Sequence, residues 1–89
     1  MKGFLYVLFS VKLNKYYIGS TNNLERRLNE HNIGHSVFTK TGTPWELKFS
    51  KEFATLADAR SEERRLKNCK SRKYLEQYIL AQLIEHPDM

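Results

Sequence analysis

Five side chains in this sequence, Tyr6, Tyr17, Arg27, His31 and Glu63, have the types that a metal-assisted phosphodiesterase would need. A guanidinium such as Arg27 matches phosphate oxygens bidentately and could stabilise a pentacovalent phosphate. A phenol has an ordinary pKa of about 10, so Tyr6 or Tyr17 could accept a proton only where cations stabilise the phenolate. Lys15, Arg27, His31 and a bound metal are the candidate cations. Glu63 is informative by its position. In a helix whose inward residues are Leu56, Ala59 and Leu66, a rotation of about 100° per residue puts Glu63 inside the apolar stripe and Glu62 well away from it. A carboxylate on an inward face is costly unless paired or metal-bound, so Glu63 is either ion-paired with an arginine or a metal ligand. A single carboxylate suits magnesium, which keeps several waters and completes its shell with substrate oxygens, with manganese as an alternative. Zinc fits poorly, because Gly34 is placed to end the helix between His31 and His35 and no Cys or His pair completes a site. Each residue also has a plainer reading: Arg27 as a surface arginine like Arg26, His31 as a half-buried histidine, and the tyrosines as packing, which is the role left to Tyr16, Tyr74 and Tyr78.

These side chains need a scaffold, and the hydropathy pattern supplies one. Residues 3–10 read as a strand apolar on both faces, hence central in its sheet. Residues 11–14 turn the chain and residues 15–19 return as a second strand. A hairpin centred near Lys12 and Leu13 sets Tyr17 opposite Leu8, with Tyr6 diagonally beside it on the same face. Asn22 and Glu25 form a capping box opening a helix to about Asn32, which projects Arg27 and His31, four apart, along one edge. Residues 33–43 form a loop. Trp45, Leu47 and Phe49 alternate with Glu46, Lys48 and Ser50, as in a half-exposed strand, and Pro44 suits a sheet edge. Thr55 and Asp58 cap a second helix to about Lys70. Ser71 opens a third, buried along Leu75, Tyr78, Ile79 and Leu83. The predicted fold class is α/β in the α+β sense: a three-stranded antiparallel sheet flanked by helices, in the order ββαβαα.

The order and spacing of Phe4-Leu5-Tyr6, Tyr17-Ile18-Gly19, Arg27, His31 and Glu63 resemble the GIY-YIG nuclease family, in its short single-domain form, over roughly residues 3–80 of the 1–89 chain. The glycine that opens the family's first motif is here Phe4. The resemblance implies the same ββαβαα architecture and a DNA endonuclease activity. It implies that Tyr6 helps activate a water, that Tyr17 and His31 position the attacking group and the scissile phosphate, and that Arg27 stabilises developing charge. A helical glutamate followed three and four residues later by an aliphatic residue and a lysine holds the family's metal, and Leu66 and Lys67 give Glu63 that spacing. Which tyrosine is the general base stays open at this level. Analogy also suggests structure-directed or partner-directed cutting, as in DNA repair or recombination, with a possible protein partner supplying the targeting.

Composition is compatible with that reading. The chain has a formal net charge of +5, and seven of its fifteen Lys and Arg fall between residues 60 and 73: Arg60, Arg64, Arg65, Lys67, Lys70, Arg72 and Lys73. Such a cluster is either a solvated helix face or a surface for nucleic acid, and DNA is the expected partner. No apolar run approaches the ~18 residues that would indicate a membrane span. The N-terminal stretch lacks a convincing secretory pattern and the one cysteine, Cys69, cannot form an intramolecular disulfide, so the cytoplasm is the expected compartment. The alternative function is a non-catalytic nucleic-acid-binding module on the same scaffold, and a protein-interaction domain is a third. The presence of all five chemical residues favours the enzyme.

Overall fold

A computed structural model describes residues 2–33 and 40–84 of the chain. Strand β1 (Gly3–Ser10) and strand β2 (Lys15–Thr21) form an antiparallel hairpin, and strand β3 (Glu46–Phe53) pairs antiparallel with the other side of β1, giving the order β2-β1-β3. Asn14, with φ of 54°, takes the left-handed conformation that closes the hairpin, a position where asparagine is tolerated. Helices α1 (Leu24–Asn32), α2 (Leu56–Cys69) and α3 (Arg72–Ile84) complete the expected ββαβαα order. Of the expected loop over residues 33–43, positions 34–39, including Gly34 and His35, lie outside the described residues, as does the side chain of Leu83.

Strand β1 is central and buried on both faces, so its alternation divides the molecule in two. Leu5 and Val7 pack with Phe49, Leu66 and Leu75 on the side of α2 and α3. Tyr6 and Leu8 pack with Trp45, Tyr17, Leu24 and Leu28 on the side of α1. The hairpin register is the expected one, with Tyr17 opposite Leu8 and Tyr6 opposite Gly19. Strand β3 departs from expectation. Trp45, Leu47 and Phe49 do not share a face, because Val7 pairs with Phe49 while Leu8 pairs with Leu47, leaving Lys48 as an extra residue in a bulge. The bulge reverses the alternation, sending Phe49 to one core and Trp45 to the other. Single-strand periodicity cannot reveal that reversal.

The helix ends are set by local hydrogen bonds. Asn23, rather than the expected Asn22, caps α1, its side chain accepting from the Arg26 amide at 3.0 Å. Thr55 caps α2 by accepting from the Asp58 amide, and Ser71 accepts from the Tyr74 amide at the start of α3. Leu66 and Ala59 are buried along α2, as its stripe predicts. Glu62 corrects the helical-wheel reading. Its side chain is 21% exposed against 20% for Glu63, because α3 covers the face that a lone helix would leave in water. There Glu62 accepts from both Arg65 and the Tyr78 hydroxyl, which hold its carboxyl down at about 2.

Candidate active site

Three of the five residues meet in a buried cluster. Arg27 and His31, one helical turn apart on α1, both face the Tyr6 hydroxyl from β1, which is 3.1 Å from His31 Nε2 and receives a hydrogen bond from Arg27 Nε at 3.3 Å. Tyr6 is 2% exposed and His31 fully buried. The Arg27 guanidinium donates to the phenol oxygen, and in the Nδ1–H tautomer of a neutral His31 the Tyr6 hydroxyl donates to Nε2. Burial raises the Tyr6 pKa to about 12, with the Arg27 hydrogen bond opposing. Burial first, and the charge of Arg27 second, lower the His31 pKa to about 4. His31 is therefore neutral at about pH 7 and is not one of the cations expected to stabilise a phenolate. Arg27 is held fully charged by its bond to Tyr6 and by a 3.1 Å ion pair to Glu30. Lys15, another expected cation, lines a depression beside Tyr16, away from the Tyr6 phenol.

Gly19 is required where it stands. A Cβ there would lie 2.5 Å from Cζ of Tyr6, so only glycine lets the phenol cross β2 toward its edge. Tyr17, two residues earlier on the same face, sets its ring edge-on to His31 at 4.8 Å and to Trp45 at 6.1 Å, with the Tyr6 ring 6.4 Å away.

Glu63 approaches β2 from the other face. Ser20, paired with Leu5 and thus on the α2 side, donates to Glu63 Oε1, and Lys67 donates to Oε2 at 2.6 Å. The expected arginine partner is absent among the described residues; a lysine and a serine take its place. Lys67 also lies 5.9 Å from the Tyr17 ring, so the two halves of the site meet around the exposed edge of β2. Beside Glu63 is an open depression of about 400 Å³ lined by Arg60, Arg64, Lys67 and Asn68. Among the described residues no group of three metal-binding side chains exists, so Glu63 is a lone carboxylate with room for waters. A single carboxylate of this kind is a donor that magnesium accepts, since magnesium keeps several waters in its shell.

The seven clustered cations separate. Arg60, Arg64 and Lys67 share the Glu63 depression, whereas Lys70 and Arg72 line another one, together with Lys67. Arg65 is engaged bidentately with Glu62 and with the Tyr74 hydroxyl, and Arg72 holds Glu76 and Asn14 while lying over Phe9 and Tyr16. Lys73 is exposed on α3. Sequence reasoning missed Ser20, Glu30 and Trp45 as supports. The Arg27–Glu30 pair was visible as a helical i,i+3 spacing, but Ser20 depends on which face of β2 receives α2, and no local signal carries that.

Among the described residues no helix is long and apolar enough to cross a membrane. A model of the GIY-YIG catalytic domain matches residues 2–78. The UPF0213 protein YazA of Bacillus subtilis is 39% identical over 77 residues, which cover 85% of this chain and 76% of YazA. A UPF0213 protein of Streptococcus pneumoniae is 35% identical over 79 residues, covering 88% of this chain and 78% of that protein. The solution NMR structure of the UPF0213 protein BH0048 from Bacillus halodurans is similar with a TM-score of 0.60 and 27% identity, over 91% of this chain and 85% of that one. With its strands, its paired tyrosines and its helical arginine and glutamate all inside the matched span, this chain belongs to the GIY-YIG catalytic-domain family.

Proposed function

We propose that this protein is a magnesium-dependent endonuclease that hydrolyses DNA phosphodiester bonds. The observation that carries the reading is the Tyr6 hydroxyl held between a neutral His31 and a charged Arg27, at the edge of the strand that Glu63 reaches from the other side. A phosphate drawn into the depression by Arg60, Arg64 and Lys67 comes to lie between the two halves. Tyr6 then takes a proton from the attacking water as its own passes to His31 Nε2, so the pair moves a proton without a free phenolate standing in the resting protein. Arg27 faces the charge that develops on the phosphoryl oxygens, and Tyr17 orients His31 and the incoming group. Glu63, once Lys67 releases Oε2, would hold a magnesium ion, with manganese as a substitute; when bound it supplies Lewis-acid stabilisation of the leaving 3′ oxygen.

In this reading the protein works in the cytoplasm, and DNA structure or a partner protein selects the cutting position. Incubating the purified protein with supercoiled plasmid in magnesium, manganese or EDTA tests the proposal. Nicking that requires the metal and coelutes with the protein is expected. DNA binding with no nicking under any metal would replace the enzyme by the non-catalytic binding module.

A further inference from the structure

Lys67 borders two depressions, and the one away from Glu63 has a distinct chemistry. It lies between the start of β2 and the junction of α2 with α3, and holds about 310 Å³. Its floor is apolar, made by Ile18, Leu66 and Leu75 with the Tyr16 ring as a wall, whereas its rim carries Lys15, Lys67, Lys70 and Arg72. No carboxylate lines it. Lys67 and Arg72 are paired with Glu63 and Glu76, but among the described residues neither Lys15 nor Lys70 forms an ion pair. Lys70 stands in the left-handed conformation, with φ of 49°, at the turn that joins the two helices.

We infer that this depression receives one unpaired nucleotide of the DNA substrate, its base against the apolar floor and its flanking phosphates on Lys15 and Lys70. A flat ring needs the apolar floor, and a polyanion needs cations without an acidic partner, which Lys15 and Lys70 supply, while Arg72 and the Tyr16 hydroxyl are engaged by Glu76. The volume stands at the lower end of the ~300–1,000 Å³ typical of small-ligand sites, enough for a nucleotide and too small for a base pair between two backbones. Because Lys67 touches both depressions, a strand leaving this pocket runs directly to Glu63. The inference deepens the proposed nuclease function and names its substrate class: DNA with a single-stranded segment beside the cut.

Equilibrium binding in EDTA, read by fluorescence anisotropy, tests this without requiring cleavage. Wild-type protein should bind a duplex with a single-stranded overhang at least about ten-fold more tightly than a blunt duplex of equal nucleotide count, since stacking and phosphate contacts add at the pocket. Lys15→Glu, at an exposed position, should remove most of that preference. A 5-iododeoxyuridine in the overhang should photocrosslink to Tyr16. Equal affinity for the two DNAs, an unchanged preference in Lys15→Glu, or a crosslink elsewhere would overturn the inference. So would a free deoxynucleoside monophosphate that binds as tightly as the overhang, because the pocket would then serve a small ligand. Failure of the nuclease reading shows separately, as absence of metal-dependent nicking by a protein that keeps the overhang preference.

Discussion

The two halves of the candidate site treat charge in opposite ways. On the α1 side, Tyr6 and His31 are largely buried, with the Tyr6 hydroxyl beside the partly exposed Arg27, and burial moves both toward neutrality, the phenol up to about 12 and the imidazole down to about 4. On the α2 side, Glu63 stays partly open and ionically engaged by Lys67 at 2.6 Å. The difference follows from the fold. The first half sits over central β1, where α1 and Trp45 cover most of it, while the second sits over edge strand β2, where nothing further covers it among the described residues. A dry site suits proton transfer, because neutral partners exchange a proton without reorganising water. A wet carboxylate suits a cation, because a lysine at the surface can be displaced at little cost.

Substitutions that touch only one half should separate these roles. The largest effect is expected from Tyr6→Phe, which removes a hydroxyl bonded to both His31 and Arg27; single-turnover cleavage should slow by ~10²–10⁴ while the fold and DNA affinity hold. Arg27→Lys keeps a charge but loses the planar fork, and should reduce the turnover rate by ~10²–10³ with a smaller change in substrate binding.

Acid should weaken the dry half first. His31 binds a proton near 6.5 when unfolded and near 4 when folded, so its contribution is present in full above pH 6.5 and declines as pH falls toward 4, on the order of 3 kcal/mol. Glu62, also depressed, adds a loss that begins only below about 4.5. Thermal melts across pH should therefore show a decline between 6.5 and 4.5 that His31→Asn flattens. The smallest effect belongs to the open side. Arg60→Glu with Arg64→Glu should make the salt dependence of DNA affinity shallower, by about 0.9 in the log–log slope for every phosphate that the protein no longer neutralises. Arg65→Glu should instead lower the melting temperature, since that guanidinium is committed to Glu62 and Tyr74.

Much of the scaffold was legible because it is local. The hairpin register follows from turn position and alternation, so the Tyr17–Leu8 pairing is what the sequence predicts. Residues four apart on α1 had to share an edge, which brings Arg27 and His31 together. What remained hidden depends on packing between distant segments. The Lys48 bulge is a property of a strand pair, and it sent Phe49 and Trp45 to opposite cores. The helical wheel placed Glu63 inward correctly but took Glu62 for a surface residue, since a wheel of α2 alone contains no α3. The neutral state of His31 depends on its burial beside Arg27, and nothing in the sequence around it reports that.

Glu62 and Glu63, adjacent in sequence and equally buried, offer the most direct test, because they are assigned to structure and to metal chemistry respectively. Plasmid nicking with magnesium and thermal unfolding would be measured for Glu63→Gln and Glu62→Gln. Glu63→Gln should remove metal-dependent nicking while melting near wild type and still binding DNA. Glu62→Gln should nick as wild type but melt several degrees lower, as its charged bonds to Arg65 and Tyr78 weaken by on the order of 1–2 kcal/mol. A Glu63→Gln protein that still nicks with magnesium, or a folded Glu62→Gln protein that does not, would contradict the assignment of the metal to Glu63.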